Sequence, residues 1–236
     1  MGLTNGSTGL MAMKEMFEVK IESEDDIVVA LAGNPNTGKS TVFNSITGLN
    51  QHTGNWPGKT VTNAQGRYEH NGRRHVLVDL PGTYSLLANS VEEQVARDFI
   101  CFGRPHATVV VTDATCLERN LNLVLQILEI TDKVIVCVNL MDEAGRKNIH
   151  IDLNRLSALL GVPVVGTTAR SGEGLDALKD AVMKVAQGKI KTHPVRICYD
   201  EILNQSIGEV EPYVHEKAGD RINNRWIALR LIDGDK

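Results

Sequence analysis

No apolar run in this chain approaches the roughly 18 residues that a transmembrane helix requires. The N-terminus has no secretory apolar core. The position where a myristoylation signal needs Ser or Thr holds Gly6. The four cysteines, Cys101, Cys116, Cys137 and Cys198, show no pairing at metal-ligand spacing, so reduced thiols of a cytosolic protein are expected. Basic charge is not in excess. Lys and Arg number 25 against 29 Asp and Glu, a net charge of −4 that argues against broad nucleic-acid binding. Neither an internal repeat nor a low-complexity tract is visible. What remains is ordinary globular composition over 236 residues, a length suited to one large domain or to a medium domain with a small one.

Residues 1–25 are rich in Gly, Ser, Thr and Met and then acidic, which reads as a flexible N-terminal extension. From Ile27 onward, short apolar runs alternate with amphipathic segments. The pattern predicts strands at 27–32, 61–69, 74–80, 107–113, 133–139 and 162–166, and helices at 39–48, 90–101, 118–130, 152–160 and 174–187. Val109–Val111 and Val134–Val138 are continuous runs, as expected where both faces of a sheet are covered. Segment 61–69 alternates and contains Gly66, which points to an edge strand. Strand and helix in alternation imply an α/β fold, a mostly parallel six-stranded sheet flanked by helices, over 26–188. Beyond the break at Gln187–Pro194, Tyr199–Glu216 and Arg221–Leu231 read as helices, with Pro212 a candidate kink. Residues 189–236 are therefore expected to form a small all-helical appendage.

The most specific local signal is Gly33-Asn34-Pro35-Asn36-Thr37-Gly38-Lys39-Ser40, a full match to G-x-x-x-x-G-K-[ST]. It follows an apolar strand and opens the helix that begins Thr41-Val-Phe, the context a P-loop needs. Glycines let successive backbone N–H groups curl round an oxyanion, and the helix start adds its positive end. Lys39 would serve the β- and γ-phosphates, and the Ser40 hydroxyl a Mg²⁺ ion. The chain is expected to bind a nucleoside triphosphate.

Three further motifs stand at the ends of predicted strands, where α/β sheets place ligands. Asp79-Leu80-Pro81-Gly82 lies forty residues after Lys39. Its aspartate can hold Mg²⁺ through water, and the Gly82 N–H can sense a γ-phosphate. Asn139-Leu140-Met141-Asp142 offers a carboxylate to the N1–H and N2–H₂ of guanine, a donor pair that adenine lacks. Leu140 stands where the usual N-K-x-D motif has lysine, and can cover the base with apolar surface. Thr168-Ala169-Arg170 resembles the S-A-K loop whose backbone N–H meets the guanine carbonyl oxygen.

Between Gly48 and Val61 runs the loop Gly54-Asn-Trp56-Pro-Gly58-Lys59-Thr60. Thr60 sits where a switch I threonine would complete the Mg²⁺ shell. Trp56, flanked by Asn55 and Pro57 in a Gly-rich loop, is expected outside the core. Ras-type proteins place glutamine directly after DxxG to orient water. Here that position is Thr83, and no arginine finger can be assigned in cis. Slow intrinsic hydrolysis follows unless another charge helps. Asn36 resembles the asparagine of cation-dependent GTPases, which implies K⁺ beside the phosphates, with carbonyls of Gly54 and Trp56 completing its shell. As an alternative, Asn36 merely caps the loop.

Taken together, G-N-P-N-T-G-K-S, G-N-W-P-G-K-T-V, D-L-P-G-T-Y-S-L, D-A-T-C-L-E-R-N-L and N-L-M-D-E-A resemble the cytosolic N-terminal G domain of FeoB, the prokaryotic ferrous iron transporter family. The resemblance covers about residues 27–187, and Arg225–Leu231 is similar to the family's helical spacer, a GDI-like module that reads as incomplete here. It implies a GTPase using GTP or GDP, Mg²⁺ and K⁺. It also implies a C-terminal membrane transport domain of the same polypeptide as partner and a place on the cytoplasmic face of the inner membrane; a homo-oligomer is one open alternative, since the sequence does not fix the oligomeric state. No nucleic acid is expected as partner, and no iron site is assigned. Lys39, Asn36, Thr60 and Gly82 are the expected catalytic group. The rival readings are a soluble ribosome- or tRNA-associated GTPase of the Era or EngA kind, and a binding switch with negligible turnover.

Overall fold

The computed structural model describes residues 10–48, 51–87, 90–219 and 222–234. Its frame is a sheet in the order β2-β3-β4-β1-β5-β6-β7. The strands are β1 (Ile27–Gly33), β2 (Gln51–Asn55), β3 (Thr62–His70), β4 (Arg73–Asp79), β5 (Ala107–Asp113), β6 (Val134–Asn139) and β7 (Val164–Gly166). Strands β4, β1, β5, β6 and β7 run parallel, while β2 and β3 are antiparallel additions at one edge. Every residue of β1 is buried, which is why it reads as a continuous apolar run rather than an alternating one. Its side chains still alternate between layers. Val28, Ala30 and Ala32 enter one apolar cluster, and Val29 and Leu31 the other.

Helices α2 (Lys39–Thr47) and α7 (Leu175–Ala186) cover the second of these layers. The first lies under α3 (Val91–Asp98), a π-helical turn at Phe99–Gly103 and α4 (Leu117–Ile130). Helices α5 (Met141–Arg146) and α6 (Leu153–Leu160) connect β6 to β7. The helical tail consists of α8 (Glu201–Ala218), which continues through Pro212, and α9 (Asn224–Ile232). It docks on the end of α4, where the Tyr199 hydroxyl donates to both carboxylate oxygens of Glu129 at 2.9 and 2.7 Å. The Asn223 amide donates to the Glu129 carbonyl at 2.8 Å. Side-chain oxygens of Ser90, Asp152, Asp200 and Asn223 accept backbone N–H bonds at the starts of α3, α6, α8 and α9, the usual way to satisfy first-turn donors.

The sheet has seven strands, not six. The additional one, β2, has the sequence Gln-His-Thr-Gly-Asn and carries no apolar alternation; only its backbone ladder with β3 marks it. Strand β3 is in consequence interior and not an edge. Its Gly66 serves a close crossing, since a Cβ there would lie 2.4 Å from the Thr47 side chain of α2.

The N-terminal segment also differs from expectation. Met13 of the short helix α1 (Leu10–Glu15), and Phe17 and Val19 after it, are buried in the first layer. Three apolar side chains among charged ones suffice to dock it. Residues 1–9 of the expected extension, and Arg221 at the expected start of the second tail helix, lie outside the described residues.

Candidate functional site

The C-terminal ends of β1, β4, β5 and β6 face one end of the sheet, and the sequence motifs gather there. The chain leaves β1 through Gly33, where a Cβ would stand 2.6 Å from the Val111 carbonyl oxygen of β5. It turns at Asn36, exposed with φ 67°, and at Gly38 with φ 78°. The Thr37 hydroxyl donates to the Asn34 carbonyl at 2.9 Å and ties the loop to itself. Pro35 lies against Gly82, whose Cβ position is 3.6 Å away. Ser40 and Thr41 are exposed in the first turn of α2.

Lys39 is nearly buried. Its ammonium is paired with Asp79 and donates to the Leu80 carbonyl at 2.8 Å. Burial raises the Asp79 carboxyl above its ordinary value, and the neighbouring Lys39 charge offsets only part of that. A half-buried carboxylate paired with Lys39, together with the exposed serine that follows Lys39 in the chain, is a donor set that suits a hard divalent cation.

The base end is organised by Asn139, 1% exposed at the end of β6. Its amide nitrogen donates to the Thr37 carbonyl at 3.1 Å. Its amide oxygen accepts from the Ala169 N–H at 3.1 Å and the Thr167 hydroxyl at 3.0 Å. One side chain thus fastens the loop after β1 to the loop after β7. Gly38 allows this, since a Cβ there would stand 2.4 Å from the Asn139 amide nitrogen. Ser45 of α2 adds a second tie through its hydroxyl to the Ala169 carbonyl, at 3.0 Å. Leu140, with φ 63°, turns the chain into α5, and Met141 N–H donates to the Thr167 carbonyl. Asp142 is half exposed and paired with Arg146 at 3.0 Å. Thr168 and Ala169 are buried while Arg170 is exposed.

After Asp79, Leu80 N–H donates to the Leu31 carbonyl and Thr83 N–H to the Gly33 carbonyl. Pro81 is half-buried and Gly82 exposed. Tyr84 is exposed beneath the Arg119 guanidinium of α4, 4.5 Å from its ring centroid. Among the described residues no hydrogen bond joins Gly54, Gly58, Lys59 or Thr60 to the phosphate loop. Gly54 pairs with Asn63 across the β2–β3 hairpin. Lys59 N–H donates to the Trp56 carbonyl at 2.9 Å, and Thr60 is exposed at the hairpin tip.

Trp56 is a correction. It is 2% exposed and belongs to the first apolar layer, where Phe17 and Phe99 meet it edge-on. Those partners are distant in sequence, and its polar neighbours gave no sign of them. Thr167 has no signature in the sequence either; a buried threonine before a loop carries no signal until Asn139 is seen beside it.

Comparison with known proteins agrees with this geometry. A family model described as ferrous iron transport protein B matches residues 27–182, and one described as the FeoB cytosolic helical domain matches residues 199–236. The Fe(2+) transporter FeoB of Escherichia coli (strain K12) is 38% identical over 216 residues, covering 89% of this chain and 27% of its own length. An Fe(2+) transport protein A/Fe(2+) transporter FeoB fusion protein of Porphyromonas gingivalis is 37% identical, covering 94% of this chain and 27% of its own length. The chain therefore spans about a quarter of these relatives. The cytosolic domain of the T. maritima FeoB iron transporter in its GDP form I is 40% identical with a TM-score of 0.82, covering 89% of this chain and 81% of that one. Its GMPPNP form gives 40%, 0.82, 89% and 82%. The cytosolic domain of L. pneumophila FeoB is 34% identical, with a TM-score of 0.81 and 89% and 82% covered.

Proposed function

Because the chain belongs to the ferrous iron transport protein B family, we propose that it is the guanine-nucleotide-binding, GTP-hydrolysing part of a ferrous iron transporter. In this reading its nucleotide state is coupled to a membrane domain of the same polypeptide. Family membership decides against the ribosome-associated alternative. The observation that carries the nucleotide reading is the Asn139 brace, which joins the phosphate loop to the Thr168–Arg170 loop through one side-chain amide. The GDP and GMPPNP forms of the T. maritima domain support the choice of ligand.

Lys39 has two partners in this structure, Asp79 and the Leu80 carbonyl. A phosphate arriving at the loop competes for that ammonium, and Asp79 is released to serve a cation. Backbone N–H groups from Gly33 to Ser40 cradle the phosphates and remain in place while charge shifts during in-line attack by water. Ser40, Thr60 and Asp79 would hold Mg²⁺, which draws charge from the β- and γ-oxygens when bound. Asn36 would hold K⁺ with the Gly54 and Trp56 carbonyls, supplying the positive charge that an arginine finger gives elsewhere. Thr60 and Gly82 close the two switch loops on the γ-phosphate. Asp142 accepts from guanine once it turns from Arg146.

Calorimetry tests the reading. GDP is expected to bind at least about a hundredfold more tightly than ADP, because the carboxylate goes unpaired with adenine. Asp142→Asn is expected to remove most of that ratio, and equal affinities would overturn the reading. Single-turnover hydrolysis is expected to be faster in K⁺ than in Na⁺, with Asn36→Ala removing the difference. Equal rates in both salts would end the K⁺ assignment.

A further inference from the structure

The loop that carries Thr60 is held at its base by an aromatic socket. Trp56 opens the loop, and its N–H donates to the Val61 carbonyl at 2.8 Å, closing the base. The indole enters the apolar layer opposite the one covered by α2. Phe99, from the π-helical turn, meets it at 5.5 Å between centroids, and Phe17 at 6.0 Å; Phe17 and Phe99 meet each other at 5.1 Å. All three contacts are edge-type, the favoured arrangement of aromatic rings. Gly103 leaves room for the socket, its Cβ position being 3.6 Å from the Phe17 ring and 3.7 Å from Met13.

Phe17 belongs to a segment outside both family matches. That segment is buttoned to the strand by which the loop leaves. Lys20 N–H donates to the Gln65 amide oxygen at 3.0 Å, and the Gln65 amide nitrogen donates to the Glu18 carbonyl at 3.1 Å. Arg67 donates to the Lys20 carbonyl, and Glu22 bridges Arg67 and Arg74. Residues 13–22 thus form a strap over β3 that completes the pocket of Trp56.

We propose that Phe17 and Phe99 are positioning residues for the Thr60 loop, and that the strap holds this loop off the phosphates until GTP draws it in. Strand β3 is separated from β1 by β4, so at the usual strand spacing the loop base stands roughly 10 Å from the line of the phosphate loop. Thr60 is exposed at the tip. Closing it on a γ-phosphate pulls the backbone of Trp56 against its socket. GDP, which has no γ-phosphate, makes no such demand. The proposal rests on the guanine-nucleotide reading above, and its consequence is that the strap tunes GTP against GDP.

The test compares the whole chain with Phe17→Ala and Phe17→Leu, titrating each with GDP and with GMPPNP in Mg²⁺ and K⁺. Phe17→Ala is expected to bind GMPPNP about fivefold more tightly, the worth of a lost edge-on aromatic pair, with GDP affinity unchanged. Phe17→Leu, which keeps apolar volume, is expected to fall between and carries the test should the alanine variant fail to fold. The half-saturating GTP concentration in hydrolysis is expected to fall in step while the maximal rate holds. An unchanged or lowered GMPPNP-to-GDP ratio in both variants overturns the strap. Failure of the unaltered chain to bind GDP would instead overturn the nucleotide reading, and the strap with it.

Discussion

Gly38 and Asn139 show how one residue's missing atoms define a site. Gly38 holds φ 78°, and the space a Cβ would fill belongs to the Asn139 amide, 2.4 Å away. Gly38→Ala therefore meets two penalties: a left-handed backbone that costs a non-glycine residue about 1–2 kcal/mol, and displacement of the amide that fastens two loops. GDP affinity is expected to fall at least about tenfold, while the circular dichroism of the folded chain is retained. Gly58→Ala is the control. Its φ is 67°, but nothing lies within 4 Å of the added Cβ, so strain alone remains and GDP binding is expected to be preserved. Calorimetric titration of both variants decides; an undiminished Gly38→Ala would show that the Asn139 brace does not shape the pocket. The glycine was legible in the sequence because phosphate loops need it. Its quarrel with Asn139 was not, since it joins positions 38 and 139.

At the scale of elements, the tail packs on α4 through apolar side chains and hydrogen-bonds to it at Glu129. Removing the Tyr199 hydroxyl strands a carboxylate that accepts from it with both oxygens, a loss of about 1.5–3 kcal/mol for a bond to a charged group. Tyr199→Phe is expected to speed hydrogen exchange in α8 and α9 while β1, β5 and β6 remain protected. Equal protection of the tail in both proteins would show that apolar packing of Ile207 and Trp226 suffices. The elements themselves were unequally readable. Strands β1, β5 and β6 are buried on both faces and announce themselves as apolar runs. Strand β2 is polar and held by its backbone, so nothing in Gln51–Asn55 declares it. With β2 silent in the sequence, β3 reads as an edge and Gly66 as an edge signal, although Gly66 makes room for Thr47. The strap escaped for a related reason. Met13, Phe17 and Val19 follow neither a helical nor a strand period for long enough to register, and their partners lie beyond Asn55.

Across the whole molecule, a buried and a half-buried histidine set how the fold answers acid. His75 is fully buried in β4, stacked on Tyr68 at 4.6 Å, and its Nε2 has no partner. Burial pushes its pKa down from 6.5 to about 4. Burial, then the nearby Lys133 charge, also lowers His106, whose Nδ1 accepts from the Val28 N–H at 2.9 Å. The fold disfavours the proton on both, and holds His75 neutral down to about pH 4, while the opened chain protonates them at the ordinary value. Between pH 6.5 and pH 4 the unfolded chain therefore binds more protons, and stability falls as pH falls through that window. For His75 the loss at pH 5 is about 2 kcal/mol relative to pH 7. Asp26 acts lower down. Burial alone would raise it, but the N–H groups of Ser23 and Glu22 and the Arg74 charge hold it below 3.8, so its contribution is lost only in stronger acid. Asp79, raised by burial, works in the opposite sense, since the fold takes up its proton first. His75→Phe separates these effects. It keeps the stack on Tyr68 and removes one titrating group. The urea midpoint of the unaltered chain is expected to drop by about 1 M from pH 7 to pH 5, and that of the variant by markedly less. Parallel drops in the two would mean that His75 finds a proton partner in the folded chain, and that the acid response belongs to His106 and the carboxylates.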